Sequence, residues 1–143
     1  MNFAIVVSRY NQNITRGLLA GALSAFRKRG ISLKSIEVVW VPGAFEIPIA
    51  AKKLAKRGKF GAVIALGCVM KGETSHNRHI SEAVSHGLMS VALETGIPVT
   101  FGVLTPDKKI QAQARSRPNS ANKGMEAAVA AIEMVEILQS IKR

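Results

Sequence analysis

The stretch GAVIALGCVMKGETSH, residues 61–76, reads as a strand, a glycine-bearing loop and the start of a helix. Its first half is a continuous apolar run, as a strand covered on both faces shows. Its second half almost spells the phosphate-binding loop G-x-x-x-x-G-K-[ST], but Glu73 stands where that loop needs Lys. No loop after another strand supplies an acidic magnesium partner, so a nucleotide hydrolase is excluded. Two readings of the loop remain. A glycine turn opening a helix gathers backbone N–H groups at the positive helix end, which favours one phosphate around Glu73 and Thr74. The same residues also make an ordinary strand-to-helix turn capped by Thr74 or Ser75.

The same alternation continues in both directions. Residues 3–8, FAIVVS, are another apolar strand. Ile14, Leu18, Ala22 and Phe26 then recur every fourth residue, with Leu19 and Leu23 beside them, as on a helix that Gly30 stops. Residues 35–41 form a strand, broken by Pro42 and Gly43 before a helix over about residues 45–57. A helix over about residues 76–95 ends at Gly96 and Pro98. Residues 98–105 are the fourth strand. A short helix near residues 108–115 and a long one over about residues 122–140 follow. Four strands alternating with helices predict one α/β domain, residues 1–143, with a parallel sheet between two helical layers. Ligands in such sheets bind beyond the carboxyl ends of the strands.

Composition narrows the function classes. The 143 residues include one Cys, too few for an internal disulfide, which fits a reducing cytoplasm. No apolar run is long enough to span a bilayer, and the first residues read as a strand, not a signal peptide. Lys and Arg number 20 against 9 Asp and Glu, a formal charge of +11. That balance raises nucleic acid as a partner. The charges are dispersed, however, and aromatics do not alternate with them as base stacking requires. A solvated surface or a small anionic substrate fits better. The densest run, KKLAKRGK at residues 52–59, reads as the outer face and end of a helix.

The loops after the strands carry the chemistry. His76, in the first turn of its helix beside the anion-favouring loop, is suited to proton transfer on a phosphorylated substrate; an exposed capping-region His is the alternative. His76 and His79 have the i, i+3 spacing, but no carboxylate or thiol completes a metal site with them. Cys68 reads as a small packing residue. Glu46, in PGAFEIP, either meets a polar ligand or stabilises a helix start. Tyr10 offers a flat face for ring stacking or for rim packing. Lys108, Lys109, Arg115, Arg117 and Lys123 follow the fourth strand with only Asp107 among them. Any of them could supply the cation that the loop lacks, and Arg matches phosphate best.

Taken in order, VVSRYNQNIT, VPGAFEIP, GCVMKGETSH, FGVLT and NKGMEAA resemble the motifs of the lumazine synthase family along essentially the whole chain. The resemblance implies a flavodoxin-like three-layer fold with a four-stranded parallel sheet. It implies condensation of 5-amino-6-ribitylamino-uracil with 3,4-dihydroxy-2-butanone 4-phosphate, the penultimate step of riboflavin synthesis, with no metal or organic cofactor. It implies that Tyr10 stacks on the pyrimidine, with Asn11 beside it at the ligand. Ala44, Phe45 and Glu46 would line the uracil substrate, Glu46 toward the ribityl chain, and Cys68, Val69 and Met70 would run along it. Glu73 and Thr74 would hold the butanone phosphate, and His76 would be the acid–base residue. Phe101, Arg115 and Lys123 complete the substrate-binding set, Phe101 and Arg115 coming from the neighbouring subunit and Arg115 reaching the phosphate. A homo-pentamer is implied, a sixty-subunit shell is a further expectation, and functional association with riboflavin synthase belongs to the same set.

The chain departs from that pattern in three places. Asn77, Arg78 and His79 replace the usual Phe-Asp-Tyr after the His. Lys71 replaces the usual Arg before Gly72, keeping the charge and losing the fork. The linker RSRPNSANKG, residues 115–124, replaces a glycine- and lysine-bearing turn. On the residues alone, a flavin or lumazine carrier without catalysis and a basic shell around an anionic polymer also remain open.

Overall fold

The computed structural model describes residues 1–72 and 76–141. Its strands are β1 (Phe3–Ser8), β2 (Ile36–Val41), β3 (Ala62–Cys68) and β4 (Val99–Leu104). Its helices are α1 (Gln12–Lys28), α2 (Ile47–Ala55), α3 (His76–Thr95), α4 (Lys109–Ala114) and α5 (Lys123–Ile141). All strand pairs are parallel, in the order β2-β1-β3-β4.

Side-chain alternation along the two central strands explains the layers. Phe3, Ile5 and Val7 of β1, with Ala62, Ile64 and Leu66 of β3, pack against α1 and α5. Ala4 and Val6, with Val63 and Ala65, pack against α2 and α3 on the other face. Both faces are therefore covered, and for that reason β1 and β3 show no polar alternation to betray a buried side; the polar residue of β1, Ser8, is its last and is buried too. This is the flavodoxin-like sandwich that the sequence predicts, with the core divided by the sheet.

Several boundaries shift by a residue, and two of the differences have a local cause. Ser35 belongs to a 3-10 turn, Leu33–Ser35, so β2 begins at Ile36. The predicted helix over residues 45–57 opens with a 3-10 turn, Ala44–Glu46, and its regular part is α2 alone. Pro48 lies in the first turn of α2, where its missing N–H breaks no helical bond. The basic run after it lies where it was expected. Lys52 meets Glu94 at 3.1 Å and Arg57 meets Glu37 at 3.1 Å, while Lys53 and Lys56 face solvent.

The strand order reverses between β1 and β3, and the carboxyl ends of these strands are tied together there. Asn11 donates from Nδ2 to the carbonyl of Cys68 at 3.0 Å. It holds a left-handed backbone, φ 63°, which Asn tolerates better than most residues. Its own carbonyl accepts the N–H groups of Ile14 and Thr15, so the residue starts α1 while its side chain crosses to β3. The end of β1 is joined to β2 as well, through the Arg9 and Tyr10 N–H groups on the Pro42 carbonyl.

Candidate functional site

A cavity of about 630 Å³ opens at this switch point. That volume lies in the range of small-molecule sites. Four chain segments line it. Tyr10 and Asn11 follow β1, and residues 43–46 follow β2. Cys68, Val69 and Met70 end β3, and His76, His79 and Ile80 come from the first turns of α3. Nine of the predicted site residues thus meet in one cavity: Tyr10, Asn11, Ala44, Phe45, Glu46, Cys68, Val69, Met70 and His76. Glu73 and Thr74, predicted to hold phosphate, and Ser75, the alternative cap, lie outside the described residues.

Local geometry gives several of these residues defined tasks. Glu46 accepts the Gly43 N–H on Oε1 at 2.8 Å, which braces the turn that carries Ala44 and Phe45. A helix-start role is therefore real for one of its oxygens. Gly43 lies against Tyr10; a Cβ there would come within 2.7 Å of the ring. The ring is itself 65% exposed, held on one side by the glycine and open on the other to a planar ligand. Cys68 is buried, and burial pushes its thiol up from 9.0 to about 11. A thiol so far from ionising near neutrality is a wall, not a nucleophile, as its packing reading implied. Among the described residues, no three His, Cys, Asp or Glu side chains group as metal ligands.

Phe101, Arg115 and Lys123 do not enter this cavity. They line a second one of about 660 Å³, beyond β4, together with Thr105, Asp107 and Gln111. The bonds from Val69 N–H to the Leu104 carbonyl and from Lys71 N–H to the Pro106 carbonyl run between the two sets of lining residues. Arg115 and Lys123 both reach Glu126, at 3.6 and 3.1 Å, and the Lys123 N–H donates to the Arg115 carbonyl at 2.8 Å. The sequence reading passed over Glu126. It follows Lys123 by three residues in α5, the spacing at which opposite charges meet on one helix face. Gln111 was also passed over; its Oε1 accepts the N–H groups of Asp107 and Lys108 and fixes the start of α4.

A parallel sheet in order 2-1-3-4, with a cavity across its switch point and an imidazole at the following helix start, defines a flavodoxin-like small-molecule protein. Within that class the sequence is decisive. Residues 1–139 match the family model described as 6,7-dimethyl-8-ribityllumazine synthase, and the chain belongs to that family. The family is one of transferases that form lumazine in riboflavin biosynthesis. Its members act on small molecules and typically assemble as oligomers. No described helix is long and apolar enough to cross a membrane.

Proposed function

We propose that the chain condenses 5-amino-6-ribitylamino-uracil with 3,4-dihydroxy-2-butanone 4-phosphate to give 6,7-dimethyl-8-ribityllumazine, phosphate and water. The observation that carries this reading is the division of the site residues. Among the described residues, those expected from one subunit line one cavity, and those expected from its neighbour line another with no residue in common. A complete site then needs two copies, the first cavity of one facing the second cavity of the next, as in a ring of five. The ring is heterologous, so each interface yields one site.

An apolar stripe supports such an interface. Ile49 of α2, Met89 and Leu93 of α3, and Phe45 of the turn before α2 are each more than half exposed. Large exposed side chains grouped in this way mark a surface that another protein covers. Whether rings gather further into a sixty-subunit shell, or associate with riboflavin synthase, is carried by the resemblance alone.

The chemistry follows from the placement of the groups. Tyr10 stacks on the pyrimidine, while the turn at residues 44–46 and the end of β3 offer backbone polar groups along it. Asn11 has committed its amide to Cys68, so it contributes chiefly by holding these two walls in register. Arg115 of the adjacent copy, with Lys123 beside it, meets the phosphate near Glu73 and Thr74. The ring amine attacks the ketone and loses one water to form an imine; phosphate leaves by elimination; the ribitylamino nitrogen then closes on the remaining carbonyl and a second water leaves. His76 takes up and returns the protons. Holding two reactive partners together supplies much of the acceleration.

The test is a turnover assay on the two substrates, followed by lumazine absorbance, with the size of the assembly measured in parallel. Product formation by a pentamer or a multiple of it is expected. A well-assembled protein that binds lumazine without forming it would replace this reading with that of a carrier.

A further inference from the structure

The first cavity contains a second imidazole, and the reaction as described has no use for it. His79 follows His76 by three residues in α3, about 4.5 Å along the axis at the usual helical rise, so the two lie on neighbouring parts of one face. Both line the cavity, with Ile80. In the lumazine synthase pattern, Tyr usually stands at this position.

The two imidazoles serve different ends of the cavity. His76 begins α3 and lies next to the loop. From there the helix runs toward the segment after β2. One turn beyond His79, Ala83 and Val84 form a cleft with Phe45, Glu46, Pro48 and Ile49. A turn further, a Cβ on Gly87 would meet Pro48 at 3.0 Å. His79 therefore lies between the loop end and the wall built by Phe45 and Glu46. The proton transfers belong to the ketone and its phosphate, at the loop end. What reaches the Phe45–Glu46 wall is the remainder of the uracil substrate.

We propose that His79 is a specificity-determining residue that hydrogen-bonds the polyhydroxylated side chain of that substrate. This rests on the functional reading above, in which the chain is ribityl. Imidazole nitrogens exchange hydrogen bonds with hydroxyl groups. Glu46 adds a carboxylate to the same wall. A site built to bond hydroxyls rejects analogues that lack them far better than an apolar wall does.

The experiment compares the ribityl substrate with the same uracil in which ribityl is cut back to methyl. His79→Ala is expected to raise KM for the ribityl substrate about tenfold, the loss of one good hydrogen bond. Its kcat and its KM for the butanone phosphate should stay within about twofold. The methyl compound should not distinguish His79→Ala from the unaltered protein. His79→Gln, which keeps a donor and an acceptor but is no proton carrier, should restore most of the lost affinity. An equal rise in KM for the methyl compound would overturn the proposal in favour of a packing role. A fall in kcat shared by the Ala and Gln variants would overturn it in favour of proton transfer. Calorimetric binding of the two uracils measures the same difference without turnover. An inactive protein would thus remove the enzymatic reading and leave the His79 test standing.

Discussion

The two cavities beside the strand ends are nearly equal in volume, about 630 and 660 Å³, and opposite in chemistry. Among the described residues, the first is walled by the Tyr10 and Phe45 rings, small residues at strand ends, two imidazoles and one carboxylate, whose Oε1 is already bonded. The second carries Arg115 and Lys123 around Glu126, outside the opposite flank of the sheet. Among the described residues, the first cavity offers an aromatic face and no Lys or Arg, whereas the second offers Arg115 and Lys123 beside the carboxylates of Asp107 and Glu126 and no imidazole. The difference teaches that one subunit carries two unlike surfaces, and in the reading proposed above a complete site joins one of each.

The sharpest probe of the first half is His76→Ala. We expect kcat to fall about a hundredfold with assembly intact. That is the low end for a positioned acid–base group, because approximation of the substrates remains. Complete loss of turnover in a well-assembled variant would contradict this. In the second half, Arg115→Ala should raise KM for the butanone phosphate roughly thirtyfold, as expected for losing a charge-assisted contact. If only the uracil substrate bound more weakly, Arg115 would belong to the wrong half. Co-expressing the two variants tests the division itself. Random mixing leaves about a quarter of heterologous interfaces with both halves unaltered, so with butanone phosphate well below its KM, activity should recover to about a quarter of that of the unaltered protein. No recovery above the mean of the parents would place both residues in one subunit's site.

Gly43→Ala sharpens the aromatic wall. The added Cβ displaces the Tyr10 ring, which is exposed and free to swing outward. Melting temperature should barely change, while KM for the uracil substrate rises several-fold; a change in melting without a change in KM would show that the ring does not stack. The smallest effect concerns Cys68. Its folded value, about 11, lies above the ordinary 9.0. The folded protein therefore keeps its proton where the unfolded chain loses it, and this contribution to stability is complete below pH 9 and fades as pH rises through 11. Alkylation by iodoacetamide should accordingly be slow at pH 8 and accelerate toward pH 11; rapid labelling at pH 8 would reverse the assignment of Cys68 as a wall.

Much of the fold was legible because its signals are local. The runs Phe3–Val7 of β1 and Ala62–Cys68 of β3 carry no polar side chain since each strand is covered twice, and the spacing from Ile14 to Phe26 marks the buried side of α1. The start of the second helix was less legible: the helical period cannot tell the 3-10 turn at Ala44–Glu46 from the α-helix it leads into. In the site, residues at strand ends could be found because topology dictates where ligands go. Glu126 could not be found in that way, since its partnership with Arg115 depends on how the end of α4 lies beside α5. His79 shows in the sequence only as half of an i, i+3 pair and as a departure from the family pattern; its place on the cavity wall appears once the turn after β2 has been positioned against α3.

Asn122 carries a consequence for how the chain is made. Its side chain donates to the Gly17 carbonyl at 3.0 Å and to the Arg117 carbonyl at 2.9 Å, and accepts the Met125 N–H at 3.0 Å. A Cβ on Gly124 would collide with the Leu18 backbone, so α5 can dock closely on α1 only with glycine there. Gly17 leaves the ribosome long before Asn122 does. At about 5–20 residues per second, α1 waits roughly 5–20 seconds for the residue that closes its outer surface. By about the middle of that interval β1, β2 and β3 have been synthesised, but the glycine-bearing side of α1 is uncovered. A nascent chain that has not yet reached α5 therefore presents that side of α1 to whatever lies nearby.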